Sequence, residues 1–287
     1  QRAGSDTGVA QGAGVKFRAM LAAHCRKSVA TYARTIGAHQ VNSAYHRRVA
    51  FPSELGSFTS KQLHNTSPAL VVPVGATEQH GPHLPLDTDT CIATAVANVL
   101  AARLSSGSEA SWLVAPAIAY GASGEHEGFA GTVSIGTPVL AELLVEFGRS
   151  ACQWASRLVF VNGHGGNVEA LRGAVALLRL EGRDAVWCSC SVSNADAHAG
   201  HTETSLLLHI SPGVVRGDQR APGNCAPLSE LMPEMRRGGV AAVSALGVLG
   251  DPSAATAEDG MSIFDEMVDV CLEKVIRWAP DPEGMLG

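Results

Sequence analysis

The sequence predicts an α/β fold built on a mostly parallel sheet, with helices on both of its faces. Short β-branched runs alternate with longer segments of helical period from about residue 69 to the carboxyl terminus. Strands that alternate with helices of roughly 12–18 residues are typical of βαβ units, which pair their strands in parallel. The size agrees, because a chain of 287 residues and 29.7 kDa buries about 73% of its unfolded surface, ample for a core without disulfides or structural metals.

The predicted elements follow in regular order. Strands are expected at 69–74, 112–118, 157–161 and 185–190, and helices at 90–104, 137–154, 168–181 and 257–278. Thr137 is predicted to cap its helix because Pro138 follows at the first helical position, and Gly182 can end the helix over 168–181. No repeat or linker divides residues 41–287, so we expect a single domain there.

Composition excludes several classes of protein. Hydrophobic residues at 46% and charged residues at 17% rule out disorder for most of the chain. The net charge of −6 argues against a nucleic-acid partner, and no apolar run approaches the roughly 18 residues that a membrane span needs. Seven cysteines, an odd number without a CxxC pair, favour a reduced, cytoplasmic setting.

Residues 1–40 differ from the rest of the chain. They carry six basic residues against the single acid Asp6, and their first part is rich in Gly, Ala and Ser. His24, Arg26 and Lys27 interrupt the stretch over 20–33, which argues against a secretory signal. A basic helix over about 16–36 is one alternative, and a disordered or non-native extension is the interpretation we favour.

Three polar motifs directly follow predicted strands, where sites form in folds of this class. The first is VGATEQHGPH over 74–83, which ends at Asp89. Glu78 and His80 stand two apart, so an extended chain turns both side chains to one side, and Asp89 falls at a helix start, where the dipole favours a carboxylate. This ligand set suits Zn, Mn or Fe, whereas a polar loop with a capping aspartate is the alternative.

The second motif is NGHGGN over 162–167, in which His164 is the one bulky side chain at a strand-to-helix turn and Asn167 is placed as N-cap. A phosphate cradle is disfavoured because neither GxGxxG nor GK[ST] is present. The glycines instead let backbone or substrate approach an imidazole ligand closely.

The third motif is HAGHTETS over 198–205. On a regular helix, His198 and Glu203 would lie about 140° apart, so they can serve one site only if the helix begins near His201. One of the two could then bind a metal while the other carries a proton. A helix N-terminus rich in polar caps is the alternative.

In this order the stretches PVGATEQHGPHLPLDTD, NGHGGN and HAGHTETS resemble the creatininase family of dinuclear-metal amidohydrolases. The resemblance extends from about Val41 to the carboxyl terminus and implies a three-layer αβα sandwich. Within the family, the stretches over 42–51, 115–136 and 236–252 look closest to a peptidase that removes a C-terminal dipeptide from a modified precursor peptide. The resemblance also implies a homo-oligomer.

The resemblance further implies two divalent ions, Zn²⁺, Fe²⁺ or Mn²⁺, per chain. Glu78, His80, Asp89 and His164 match the family's metal positions, with Asp89 as the bridge. His198 matches a histidine near the scissile amide and would donate a proton to the leaving amine. His83, Glu125, His126, Asn167 and His201 are interpreted as residues that contact substrate or support the ligands, and buried structural polar residues are the alternative for Glu125 and His126.

One departure from the family concerns the second motif. Creatininase has NGHYEN, whose glutamate binds metal and whose tyrosine lines the pocket, and here Gly166 and Gly165 stand at those positions. We therefore expect a wider pocket that admits a peptide end. We also expect Glu203 to act as a further metal ligand and catalytic residue, because Glu78 and Asp89 alone do not balance two divalent ions.

Other functions remain open at this point. A creatinine or formamide amidohydrolase would belong to the same family, and a non-catalytic metal-binding scaffold would belong to a different class. Candidate ligands in all three motifs favour an enzyme over a scaffold.

Overall fold

The structure is a computed structural model that describes residues 54–106 and 111–287. The expectations for residues 1–40 lie outside the described residues. The described residues contain four strands: β1 (Ala69–Val74), β2 (Trp112–Val114), β3 (Arg157–Asn162) and β4 (Ala185–Ser189). They form one parallel sheet in the order β2-β1-β3-β4. The register aligns Val71 with Val114 on one side and with Val159 on the other.

Strand β2 is shorter than the predicted 112–118, which is therefore wrong at its end. The chain leaves the ladder after Val114, and Pro116 cannot donate a ladder hydrogen bond. Ile118 returns to the sheet only as an isolated bridge to Val74.

Seven helices lie among the described residues. They are α1 (Ser60–Leu63), α2 (Thr88–Ser106), α3 (Thr137–Ala151), α4 (Val168–Leu180), α5 (His201–Ile210), α6 (Leu228–Gly238) and α7 (Ala257–Arg277). Gly136, rather than the predicted Thr137, is the N-cap of α3, because its φ of 75° turns the chain into the helix. Gly182, with φ of 81°, follows the end of α4 in the left-handed conformation that its position predicted.

Both faces of the sheet are buried under helices. On β1, Ala69 and Val71 pack into one core together with side chains of α2, α5 and α7. Leu70, Val72 and Val74 point the other way and pack against α3 and α4. A parallel strand buried on both faces reads as a continuous apolar run, as ALVVPV does. The fold is the predicted three-layer αβα sandwich.

Because the strands are parallel, their carboxyl ends meet at one edge of the sheet, and the three polar motifs begin there. None of the helices in the described ranges has the length and apolar character needed to cross a membrane. The six described cysteines are all free thiols.

Candidate metal centre

The loop after β1 places Glu78 and His80 of the first motif beside the start of α2. Gly75 permits this close approach, since a Cβ there would lie 2.5 Å from the Cα of Thr90. Glu78, His80 and Asp89 are all buried. His80 Nδ1 donates to the carbonyl of Glu78 (3.1 Å), and its Nε2 lies 3.1 Å from Asp89 Oδ1. One imidazole nitrogen and two carboxylates therefore converge.

The loop after β3 carries His164 against the same two carboxylates. Its Nδ1 lies 3.3 Å from Asp89 Oδ2, and its Nε2 lies 3.2 Å from Glu78 Oε2. Gly163 lets this loop pass close to α2, since a Cβ there would lie 2.5 Å from the Asp89 carbonyl oxygen. The Asp89 carboxylate thus lies between the imidazoles of His80 and His164.

Asn167 stands at the N-cap position of α4, but its side chain makes no capping hydrogen bond. Its Nδ2 donates to the carbonyl of Gly75 (3.0 Å) and to Asn162 Oδ1 (3.2 Å), and its Oδ1 accepts from the Ala122 amide (2.9 Å). The residue therefore ties three loops together behind the ligands.

The third motif joins the same site because α5 begins at His201, with Gly200 as N-cap. Glu203 Oε2 accepts a hydrogen bond from the Ala199 amide (2.6 Å) and lies 3.8 Å from His80 Nε2. His198 Nε2 donates to the Gln79 carbonyl (2.8 Å), and its Nδ1 lies 3.8 Å from Glu78 Oε1. Because the helix starts at His201, the side chains of His198 and Glu203 lie at the same site.

A short turn over 124–126 adds two further side chains. His126 Nε2 lies 3.4 Å from Glu78 Oε1, and its Nδ1 accepts from the Gln79 side-chain amide (2.8 Å). Glu125 Oε1 lies 3.6 Å from His164 Nε2. A Cβ on Gly166 would collide with the Ala122 carbonyl and would lie 2.5 Å from His164 Nε2. Glycine therefore keeps this side of the imidazole clear.

Two predicted residues lie apart from this cluster. His83 is buried, and its Nε2 lies 2.8 Å from the Thr204 hydroxyl on α5. His201 is partly exposed, and its Nε2 lies 3.5 Å from Asp259 Oδ2 on α7.

The acids of the cluster have strongly shifted pKa values. Burial, with the neighbouring Asp89, raises the pKa of Glu78 to about 9. Burial also raises the pKa of Glu203 to about 7. Burial works against the charge on Asp89 as well, but the adjacent His80 keeps the pKa of Asp89 below its usual value.

The pKa values of the imidazoles are also shifted, some upward and some downward. Burial tends to lower the pKa of His80, but the Asp89 carboxylate outweighs it and raises that pKa to about 10. Burial, with neighbouring imidazoles, lowers the pKa of His126 to about 3 and that of His198 well below its usual value. The Asp89 carboxylate therefore sets His80 apart from His126 and His198, whose pKa values are lowered.

The donor set fits a divalent metal. Within the described residues, both oxygens of the Glu78 carboxylate and Oδ2 of Asp89 are buried without a hydrogen-bond donor, an arrangement that costs free energy unless a cation compensates. Three groups of ligand atoms lie close enough to hold an ion: Glu78, His80 and Asp89; His80, His198 and Glu203; Glu78, His126 and His198. Carboxylate oxygens with imidazole nitrogens suit Zn²⁺, Mn²⁺ or Fe²⁺.

Part of the cluster lines a cavity of about 460 Å³. The lining residues from the three motifs and the neighbouring loops are Asp89, Glu125, His126, Gly163, His164, Gly165, Gly166, Ala197, His198 and Glu203. Leu228, Met232, Met235 and Arg236 of α6 line it as well, together with Val240 and Leu249. A larger hollow of about 790 Å³ lies beside residues 63–67 and 153–155. Those residues precede β1 and β3, at the opposite edge of the sheet, and none of the three motifs reaches them.

Sequence reasoning missed some residues of this site. Gln79 lies between the predicted ligands Glu78 and His80, and its side-chain amide contacts both His126 and His198. Its place within the first motif is the sequence feature that could have identified it. Ser123 Oγ lies 3.4 Å from His164 Nε2. Arg236 was missed because α6 was not predicted.

Comparison with known proteins agrees with this geometry. The family model described as creatininase, creatinine amidohydrolase, matches residues 54–275. The chain is 66% identical, over 86% of its length and 100% of the relative, to the mycofactocin precursor peptide peptidase of Mycolicibacterium smegmatis. It is 64% identical, over the same shares, to the protein of that name from Mycobacterium tuberculosis. It is 29% identical to the creatinine amidohydrolase of Pseudomonas putida, over 72% of this chain and 86% of the relative.

Solved structures of creatininases are similar to this chain as well. A manganese form of creatininase superposes with a TM-score of 0.65 and 27% identity, covering 80% of this chain and 99% of that one. A Zn–Zn form of a creatininase mutant gives a TM-score of 0.64 at 27% identity, covering 79% and 98%. The chain belongs to the creatininase family.

Proposed function

We propose that the protein is a metal-dependent peptidase that removes a C-terminal dipeptide from the modified mycofactocin precursor peptide. The observation that carries this proposal is the convergence of Glu78, His80, Asp89, His164 and Glu203. Asp89, His164 and Glu203 line one cavity, and both oxygens of Glu78 and Oδ2 of Asp89 are buried without a hydrogen-bond partner among the described residues. The high identity to peptidases of that name supports the choice of substrate.

We assign two divalent ions to this site. His80, Asp89 and Glu203 would hold one, and Glu78, Asp89 and His164 the other. Asp89 suits the bridging role because its two oxygens face different imidazoles, Oδ1 facing His80 and Oδ2 facing His164. When bound, such ions polarise an amide carbonyl and lower the pKa of water toward ~7.

The chain's own residues supply the proton transfers. His198 Nε2 is committed to the Gln79 carbonyl, so Nδ1 is the nitrogen that can exchange a proton. We assign to it the transfer of a proton from the attacking water to the leaving amine, without which an amide nitrogen leaves poorly. Gln79 positions both imidazoles, His198 through its backbone carbonyl and His126 through its side-chain amide. Glu203 has a pKa raised to about 7 by burial, so without bound metal it too exchanges a proton near neutral pH.

The cavity favours a peptide end over a small cyclic substrate. Its volume of about 460 Å³ lies in the usual range of ligand sites, about 300–1,000 Å³. A Cβ on Gly165 would meet no atom within 4 Å, so open space lies beside His164. Creatinine hydrolysis is the second candidate, favoured by the family match over 54–275.

Two further expectations belong to the proposal. The free thiols among the described residues are consistent with a cytoplasmic location. A homo-oligomer is the state that the family resemblance implies, and light scattering coupled to size exclusion tests it.

The substrate assignment is tested by incubating the metal-loaded protein separately with modified precursor peptide and with creatinine. We expect mass spectrometry to detect a released C-terminal dipeptide and a correspondingly shortened precursor. Protein carrying Asp89→Asn is the control for contaminating peptidases. Efficient creatinine hydrolysis with an inert peptide would reject the peptidase in favour of the second candidate.

A further inference from the structure

We propose that His126 donates a hydrogen bond from Nε2 to the carbonyl oxygen of the scissile amide, and that Gln79 fixes the imidazole in the tautomer that can do so. The inference rests on the proposed function and assigns to the reaction a catalytic residue that does not bind metal. It concerns two neighbouring imidazoles, those of His126 and His198, which both line the metal cavity.

The orientation of the Gln79 side-chain amide is fixed by backbone groups on both sides. Its Oε1 accepts from the Gly81 amide (2.9 Å), and its Nε2 donates to the carbonyl of Gly247 (3.0 Å). A backbone N–H can only donate and a backbone carbonyl can only accept, so the amide oxygen and nitrogen cannot be exchanged. Gly247 also packs closely here, since a Cβ there would collide with the Gln79 amide. Gln79 therefore has one further N–H, which is directed to His126.

This N–H sets the tautomer of His126. Gln79 Nε2 lies 2.8 Å from His126 Nδ1, which must accept because its partner is a donor. A neutral imidazole that accepts at Nδ1 carries its proton at Nε2. Across the described residues this Nε2 makes no hydrogen bond, and it lies 3.4 Å from Oε1 of Glu78. His126 therefore presents an N–H donor at the metal centre.

His198 has its donor and acceptor the other way round in the site. Its Nε2 donates to the backbone carbonyl of Gln79 (2.8 Å), so its Nδ1 keeps a lone pair and lies 3.8 Å from the same Glu78 oxygen. The rings of His126 and His198 are in contact, with centroids 4.3 Å apart. The group of Glu78, His126 and His198 is accordingly not a further ion site, because a protonated Nε2 cannot bind a cation. It places a hydrogen-bond donor beside a proton acceptor.

An amide has the complementary pair of atoms, since its carbonyl oxygen accepts a hydrogen bond and its nitrogen must gain a proton to leave. As the water oxygen adds to the carbonyl carbon, the π electron pair of the carbonyl moves onto its oxygen, and a donor already in place stabilises that charge. His126 keeps its proton throughout. His198 takes a proton from the attacking water and gives it to the nitrogen as the C–N bond breaks.

Kinetics and metal content are measured for the unaltered protein, His126→Ala, His126→Gln and the control His64→Ala, with the modified precursor peptide as substrate. We expect His126→Ala to lower kcat by about 10²–10³-fold, the usual cost of removing one such donor, with little change in KM and both ions bound. His126→Gln should be intermediate, because its side-chain amide restores an N–H donor. His64 is exposed at the opposite edge of the sheet, so His64→Ala should behave as the unaltered protein.

Two kinetic outcomes overturn the inference. Near-normal kcat in His126→Ala, with an active unaltered protein, would show that His126 makes no contact that matters in the reaction. Loss of an ion in His126→Ala would make His126 a metal ligand instead. Absence of cleavage by the unaltered protein would reject the proposed function itself, on which this role depends.

The tautomers are measured independently of cleavage. Long-range proton–nitrogen correlation spectra of zinc-loaded protein, with His126→Ala and His198→Gln for assignment, show which ring nitrogen carries the proton. We expect a protonated Nε2 and an unprotonated Nδ1 in both His126 and His198. A proton on Nδ1 of His126, with Nε2 bare, overturns the inference even if His126→Ala is slow.

Discussion

The carboxylate of Glu125 lies beside the backbone of Gly166, with Oε1 only 2.8 Å from the point where a Cβ on that glycine would stand. The space that a side chain at 166 would take is therefore filled by a carboxylate from a different loop. An acid close to His164 is thus present although the second motif contains none.

Gly166→Ala should accordingly damage the site, because the added methyl group collides with the Ala122 carbonyl and displaces His164 or Glu125. We expect a loss of about 1–3 kcal/mol in the free energy of unfolding, as for other overpacked sites, together with weaker metal binding. Gly165→Ala is the matched control, since a Cβ there meets no atom within 4 Å. Denaturant titration and metal analysis check both variants, and identical behaviour of the two would contradict the close packing at Gly166.

Asp89→Asn should remove the bridge between the two proposed ion positions. We expect the loss of at least one metal equivalent and of hydrolysis, because the neutral amide cannot replace a carboxylate between His80 and His164. Inductively coupled plasma mass spectrometry measures the metal. The control is Asp87→Asn, an exposed acid in the same loop. Two retained ions with near-normal turnover would show that Asp89 is no bridge.

His198→Gln should lower kcat by about 10²–10⁴-fold, the usual contribution of a positioned acid or base, while both ions stay bound. His201→Gln serves as the comparison, because His201 contacts Asp259 outside the cluster. Kinetics and metal content are measured together. If His198→Gln instead loses an ion, His198 is a ligand rather than a proton carrier.

Metal binding should release protons and become tighter as pH rises. With pKa values raised to about 9 for Glu78 and about 10 for His80, both groups hold a proton at pH 7 in the metal-free protein. Each proton must leave before the group binds a cation, so affinity falls as pH falls below these values. Chelator competition between pH 7 and 9, with calorimetry in two buffers of different ionisation enthalpy, measures the effect. A metal affinity independent of pH would contradict the link between metal binding and the loss of protons from Glu78 and His80.

Much of the fold could be predicted from local pattern. The bounds of β1 agree with the prediction of 69–74, because a strand buried on both faces is a continuous apolar run. The prediction was wrong where the conformation of a single residue decides where an element begins. Gly136, not Thr137, is the N-cap of α3 for this reason. Helix α6 was missed altogether, since Pro233 interrupts its pattern.

The residues of the site could be read from the sequence, but their mutual geometry could not. Glu78 and His164 meet because β1 and β3 are neighbours in register, which is a property of the sheet. The contacts of Gln79 with His126 and Gly247 depend on packing between distant segments in the same way. The metal-binding and catalytic roles assigned here remain predictions that the variants above test.

A metal titration tests the central claim most directly. Metal-free protein is titrated with Zn²⁺ or Mn²⁺ while release of the C-terminal dipeptide from the modified precursor peptide is followed. We predict no hydrolysis without metal and a rise in rate that levels off at two equivalents per chain. Full activity in the metal-free protein, or binding of less than one equivalent under metal-replete conditions, would contradict a metal-dependent peptidase.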